Sequence, residues 1–500
     1  MDKNLQSSFI AKAMVGVAVS QPLFAITACT PKEAVQEKPN IVVVLCDDLG
    51  YGDLGCFGHE YIETPTLDQM AADGIKLTNF YSTAAVSSPS RAGLLTGRNP
   101  NKAGFYDFIP GPKYSEDCRD MVQLQAHEIT IPALLKTAGY STCLAGKWHC
   151  NSYFNSPKNT QPNDFGFDHW FATHNNASPS HKNPANFVRN GEAVGELIGF
   201  SSEVVVNEAI NWLESRKEET NPFYLHVTFH EPHENIASPD DLVEKHLPHS
   251  INREQAEYFA NVENMDRNLG RLVEYLKENY GSNTLIVFSS DNGPETLGRY
   301  SRAIHSYGTT GGHKGMKLWT NDGGIHVPGI MTWLGKDTFK GETDAVVSAL
   351  DYLPSFCELA GVALPERNID GESMLAIFEK GEFTRESHLM WVFYDALNEQ
   401  AVALRDGDWK IMCSLYVDGE ILPNLHNLYP GNYEVVKNAE LRDFSLYNLK
   451  EDRYETTDVS EANPEIFAKM KAKVQEEYNQ LMAESHVWVR PESEIRKEKK

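Results

Sequence analysis

The 500-residue chain has no surplus of positive charge: 45 Lys and Arg stand against 70 Asp and Glu, for a formal net charge of −25. Nucleic-acid binding needs a basic face that displaces counterions from phosphates, so that class is excluded. Paired cysteines are missing too. Eight are scattered along the chain with no Cys-x-x-Cys spacing, which excludes sites of the zinc-finger type. There is no internal repeat, no low-complexity tract and no apolar run of the roughly 20 residues that a bilayer core demands. What is present, 41% hydrophobic and 23% charged residues, is the composition of a folded protein long enough for two domains.

Lys3 and Lys12 precede an uncharged stretch, residues 13–31, whose apolar part is cut short at Ser20-Gln21-Pro22. That pattern predicts a signal peptide over residues 1–28 and not a membrane span. The series Ile26-Thr27-Ala28-Cys29 resembles the lipobox of bacterial lipoproteins, in which Cys29 becomes the lipidated first residue of the mature chain. The expectation is an exported bacterial lipoprotein, periplasmic or at the outer membrane or cell surface, that meets membrane only through its lipid anchor. Residues 29–38 read as a polar tether and 491–500 as a charged tail. Seven cysteines remain beyond Cys29, and their spacing decides no disulfide.

Ile41 to Leu45 is a short, wholly apolar, mostly β-branched run of the kind found in buried parallel strands. Similar runs recur at Phe223 to Phe229 and Thr284 to Phe288, with amphipathic stretches such as Glu254 to Leu276 between them. The alternation predicts an α/β domain over residues 39–385, a large central, mostly parallel sheet flanked by helices. In such sheets ligands bind beyond the carboxyl ends of the strands. After residue 385, Ala401 to Met412 reads as a hairpin about Asp406-Gly407. Pro464 to Met482 reads as a helix with Asn463 at its N-cap and Phe467, Met470, Val474, Tyr478 and Leu481 on one face. A smaller C-terminal α+β subdomain, an antiparallel sheet plus a helix, is expected over 386–490.

Asp47 and Asp48 follow the first apolar run, and Asp291 and Asn292 follow the last. Oxygen-only ligation suits Ca2+ or Mg2+ better than zinc. Between them lies Ser87-Ser88-Pro89-Ser90-Arg91-Ala92-Gly93-Leu94-Leu95-Thr96-Gly97. Pro89 suits the first turn of a helix, which sets Ser87 beside free N–H groups that favour an anion. This stretch resembles the signature of the sulfatase family (type I, alkaline phosphatase superfamily): Cys or Ser, any residue, Pro, Ser, Arg, four residues, then Thr-Gly. Every fixed position is present. Gly146-Lys147-Trp148-His149, Glu231-Pro232-His233 and the stretch from Gly312 through Lys317 to Pro328 resemble further family elements, in family order. The chain departs from the family in having Asp322 for Glu and His326 for Arg, which leaves the local ion pairing open.

The resemblance implies an alkaline-phosphatase-like fold and a formylglycine made from Ser87, as in the serine-type members, by a radical maturase before export. It implies one Ca2+ held by Asp47, Asp48, Asp291, Asn292 and the modified Ser87. Arg91, Lys147, His149, His233 and Lys317 then surround the sulfate as catalytic residues. An unmodified serine would leave a sulfated serine that water cleaves slowly, whereas a geminal diol keeps a second hydroxyl that expels the sulfate. His233, helped by Lys317, is assigned to protonate the leaving alcohol, and His149 to assist the diol. His226, His230, Trp148 and Trp319 read as structural. The polar stretches 151–190 and 294–312 carry His174, His181, Arg189, Arg299, Arg302 and His305 as candidate substrate contacts.

The expected function is hydrolysis of sulfate monoesters by an exo-acting carbohydrate sulfatase. Its partners would be a small sulfated saccharide, of galactose or N-acetylgalactosamine type, and the serine-type maturase. The acidic surface repels polyanionic polymers at long range, which favours chain ends and short oligosaccharides. Two alternatives stand beside it. A phosphomonoester, phosphodiester or phosphonate hydrolase of the same superfamily would carry zinc, and an inactive glycan-binding lipoprotein would leave Ser87 unoxidised.

Overall fold

The large sheet is built where apolar runs predict it and extends well beyond them. The computed structural model describes residues 37–492. The expected signal peptide, Cys29, most of the tether and most of the tail lie outside the described residues. Ten strands form the sheet: β1 (Asn40–Cys46), β2 (Ile75–Tyr81), β3 (Ser141–Lys147), β4 (His169–Thr173), β5 (Val188–Arg189), β6 (Glu192–Ala193), β7 (Phe223–Thr228), β8 (Thr284–Ser290), β9 (Gly329–Leu334) and β10 (Gly341–Ser348). Their order is β10-β2-β9-β8-β1-β7-β3-β4-β5-β6. The strands from β8 to β4 run parallel. β9 runs antiparallel to both its neighbours, and two short antiparallel strands finish the far edge.

Successive side chains of a strand point to opposite faces, and β1 shows why its run is apolar throughout. Ile41, Val43 and Leu45 pack with the helices Ser87–Thr96, Ile131–Thr137 and Tyr352–Ala360 on one face. Val42 and Val44 pack on the other face with the helices Pro65–Asp73, Ser201–Ser215 and Arg253–Tyr280. A strand covered on both sides admits no polar side chain until it ends, so the chemistry collects at its carboxyl end.

A second sheet is antiparallel: β11 (Leu389–Val392), β12 (Val402–Asp406), β13 (Trp409–Val417), β14 (Glu420–Ile421) and β15 (Glu440–Asn448). The hairpin forms one residue later than expected, with Asp406 paired to Trp409 across Gly407-Asp408, because Gly407 takes the left-handed φ of 60° that such a turn requires. The last helix runs Pro464–Glu484 and buries Met470, Val474, Tyr478 and Leu481. Asn463 stands at its N-cap, but its side chain donates back to the Val459 carbonyl at 3.0 Å and caps nothing. One apolar core holds Phe356 beside the large sheet together with Ile411 and Val474, so the expected boundary near residue 385 separates two sheets that share a core.

A buried ionic network joins the same two sheets. Lys410 on β13 reaches Asp322 at 2.7 Å and Glu455 at 2.7 Å, and Asp322 accepts from the Tyr81 hydroxyl on β2 at 2.7 Å. His326 sets Nε2 on the Thr78 carbonyl at 2.7 Å and Nδ1 at 3.4 Å from Asp322. Lys410, from the small sheet, is therefore the charge partner at the position where the sequence departs from the family. Lys410→Met strands two buried carboxylates, and we expect it to lower stability by about 3–5 kcal/mol in urea unfolding. A loss below about 1 kcal/mol would contradict this role.

Candidate active site

Ser87 is the first residue of the helix Ser87–Thr96, which follows β2 after a short loop. The ends of the signature have local reasons. The Thr96 hydroxyl donates to the Ala92 carbonyl at 2.8 Å, and Gly97 closes the helix in the left-handed region at φ 64°. The Ser87 hydroxyl lies 3.1 Å from Asp47 Oδ1 and 3.3 Å from Asn292 Oδ1. Asp47 and Asp48 follow β1, while Asp291 and Asn292 follow the adjacent parallel β8. Adjacent parallel strands ending in register bring the four oxygen donors together.

Three cations face these acids. Lys147, the last residue of β3, holds Asp47 Oδ2 at 2.6 Å. Lys317 holds Asp48 Oδ2 at 2.8 Å. Arg91, one turn along from Ser87, holds Asp291 at 2.7 Å and donates to the Lys147 carbonyl at 3.1 Å. His233 Nδ1 lies 2.6 Å from the Glu234 carbonyl, and its Nε2 stands 3.6 Å from Asp48. His149 fixes Nε2 on the Ile109 carbonyl at 3.1 Å, and its buried Nδ1 has no protein partner. The chain bends at His149, which takes a φ of 52°. Its backbone N–H bonds to the His174 carbonyl.

The electrostatics follow from burial. Burial raises a carboxyl, yet the charges of Lys147 and Arg91 hold Asp47 well below the usual carboxylate range. Asp48 and Asp291 are each pushed up to about 6, chiefly by burial, with the charge of Asp47 adding to both. Burial also works against the charge of Lys317, but Asp48, Glu295 and Asp47 keep it above the ordinary lysine range. Burial and then Lys317 lower His233 to about 4, and burial and then Lys147 hold His149 far lower than usual, so both rings are neutral in the free site. One carboxylate oxygen from each of Asp47, Asp48 and Asp291 lies within 4.8 Å of the others. Such mutual repulsion among buried hard donors fits a divalent cation.

The sulfatase family model matches residues 39–362. The chain belongs to the sulfatase family. It is 31% identical over 401 residues to human arylsulfatase A, covering 75% of each chain. It is 30% identical over 363 residues to human N-acetylgalactosamine-6-sulfatase, covering 69% of this chain and 66% of that protein. The uncharacterized sulfatase YdeN of Escherichia coli (strain K12) is 29% identical over 511 residues, 90% of this chain and 88% of that one. Among solved structures, Ps i-CgsB superposes with a TM-score of 0.73 at 27% identity, covering 90% of this chain and 95% of that chain. This sulfatase is accordingly a sulfuric ester hydrolase.

The candidate substrate contacts of the sulfatase divide into three groups. His174 is half-buried, with Nε2 on the Asn151 carbonyl at 2.7 Å and its ring edge-on to His149 at 5.7 Å. Arg299 borders an open cavity of about 460 Å3 walled also by Leu297, Met316, Trp319 and Leu397, though Glu295 holds its guanidinium at 2.7 Å. Arg302 is exposed, and His305 is clamped between Glu234 at 3.0 Å and Glu257 at 2.9 Å. His181 is a correction: it is 0% exposed and bonded to Asn261, so its loop folds back under the site and the ring reaches no substrate. Arg189 is another, since it pairs with Glu208 at the far edge of the sheet.

His226 and His230 are internal, held by the Tyr224 and Thr173 hydroxyls. Glu295 is the site residue that sequence reasoning missed. It is 4% exposed and sits 3.8 Å from the Lys317 ammonium, and its only signal was an acid four residues past Asp291. Among the described residues no helix is long and apolar enough to cross a membrane.

Proposed function

We propose that this sulfatase removes sulfate from carbohydrates, acting from chain ends on short galactose or N-acetylgalactosamine sulfates, with formylglycine derived from Ser87 and one Ca2+. The observation that carries the reading is the Ser87 hydroxyl, seated where Asp47 and Asn292 converge and ringed by Arg91, Lys147 and Lys317. Oxidised and hydrated, Ser87 supplies a nucleophile with a second hydroxyl for release, and Ca2+ on Asp47, Asp48, Asp291 and Asn292 supplies fixed positive charge. The buried cations preorganise the pocket for an anion whose charge shifts in the transition state, at no reorganisation cost during the reaction. His149, whose buried Nδ1 has no protein partner, offers that lone pair as the proton acceptor for the diol. His233 waits neutral, and the charge of the bound sulfate raises its proton affinity, so that Nε2 protonates the leaving alcohol with Lys317 alongside.

Support for a sugar comes from similar proteins. One is an N-acetylgalactosamine-6-sulfatase, and Ps i-CgsB was also solved in complex with k-i-k-neocarrahexaose. The leader and Cys29 favour an exported lipoprotein oxidised beforehand by a serine-type maturase. The test is sulfate release, at low salt, from sulfated monosaccharides, disaccharides and polymer by protein produced with such a maturase. Faster release from the short substrates is expected, and equal rates on polymer and disaccharide would refute exo-action.

Calcium binding carries its own pH signature. In the cation-free protein Asp48 and Asp291 sit near 6, above the roughly 3.9 of an unfolded aspartate. Raised carboxyls take up protons on folding, so both contribute stability as pH falls through about 6 towards 4 and weaken the fold above it. A divalent cation needs them ionised. Ca2+ should therefore raise the melting temperature more at pH 7.5 than at pH 5, and equal shifts at the two pH values would contradict the assignment.

A further inference from the structure

Asp107, Asp395 and His426 come from three distant segments, yet one oxygen or ring nitrogen from each lies within 4.8 Å of the others. Asp107 is buried and fully engaged. Its Oδ2 accepts from Arg119 at 3.0 Å and meets His426 Nδ1 at 2.8 Å, while Oδ1 accepts the Phe108 N–H at 2.7 Å. Asp395 accepts from Asn424 at 2.6 Å and stands 3.7 Å from His426. Both Asp395 and His426 are partly exposed, and His426 is tied through Nδ1, which leaves Nε2 facing outward. Beside them the Phe108 ring is 41% exposed, with the Arg119 guanidinium 5.1 Å from its centre.

Two chain segments tie this cluster to the reacting centre. Ile109, two residues from Asp107, holds His149 through its carbonyl at 3.1 Å and donates its N–H to Ser88 Oγ at 2.9 Å. Leu397, two residues from Asp395, donates to the carbonyl of Leu318, the neighbour of Lys317, at 3.0 Å. Two residues of chain span at most about 7 Å. The cluster is therefore joined by short backbone paths both to His149 and to the neighbour of Lys317.

We propose that Asp395 and His426, positioned by Asp107, form the subsite that recognises hydroxyl groups of the sulfated sugar; this rests on the saccharide reading above. A carboxylate beside an imidazole matches a vicinal hydroxyl pair, and the exposed Phe108 ring offers an apolar face to the C–H side of a sugar. The hydrogen bond to Asp107 raises the proton affinity of His426, whose Nε2 accepts from a hydroxyl in the neutral ring and donates to one when the ring is protonated. A metal ion fits worse, because Arg119 already neutralises Asp107 and His426 meets it through a donor nitrogen.

The experiment compares kcat/KM for a sulfated disaccharide and for 4-nitrophenyl sulfate, using maturase-treated wild type, Asp395→Asn, His426→Ala and His426→Gln. The ratio of saccharide to aryl activity should fall about 10- to 100-fold in Asp395→Asn and His426→Ala, mostly through KM, the worth of a hydrogen bond to a charged group. His426→Gln should recover part of it. Equal losses on both substrates, or no loss on the saccharide, overturns the subsite alone. Wild type that cleaves the aryl ester and no sulfated saccharide overturns the saccharide reading and the subsite with it.

Discussion

Ser87→Ala should abolish turnover of every sulfate ester, a loss of about 10^6-fold, the size seen when a covalent nucleophile is removed. The fold should survive. The Ser87 hydroxyl touches only Asp47 and Asn292, at 3.1 and 3.3 Å, so its loss removes two weak contacts and leaves every buried charge with its partner. Lys147 still holds Asp47, and Arg91 still holds Asp291. The expected result is a melting temperature within a few degrees of wild type, with no sulfate released above the uncatalysed background. Residual activity within tenfold of wild type would show that another group attacks sulfur and would remove Ser87 from the mechanism.

His233→Ala should separate substrates by their leaving group. A sugar alcohol departs as a strongly basic alkoxide unless it is protonated, so loss of the general acid should cost about 10^2- to 10^4-fold in kcat on sugar sulfates. A nitrophenolate departs without that proton. On 4-nitrophenyl sulfate the same variant should lose less than about tenfold. The geometry explains the assignment: the Glu234 carbonyl at 2.6 Å fixes Nδ1, which turns Nε2 towards the Lys317 and Asp48 side of the pocket. Losses of equal size on both substrates would mean that His233 only shapes the pocket.

Much of this was legible in the sequence, for reasons that particular residues show. β1, β7 and β8 lie at the centre of the sheet, covered on both faces, so their apolar runs stand out. β2 alternates buried and half-buried residues through Lys76, Thr78 and Asn79, and β4 is five residues long, so neither carries the continuous apolar signal. The acids at strand ends were readable because parallel strands stop together. Glu295 and the Asp107–His426 pair were not, since their meaning comes from approach in space; the latter two lie 319 positions apart. His181 misled for the opposite reason. A polar loop reads as open to substrate, but its His181 turns inward to Asn261 and Glu231.

Oxidation of Ser87 is the central claim, and the mass of the tryptic peptide Leu77–Arg91, from protein made with a serine-type maturase, tests it most directly. A peptide two hydrogens lighter than the encoded sequence, with the change localised at Ser87, is the predicted result. An unmodified serine in protein that still hydrolyses sulfate esters would contradict it.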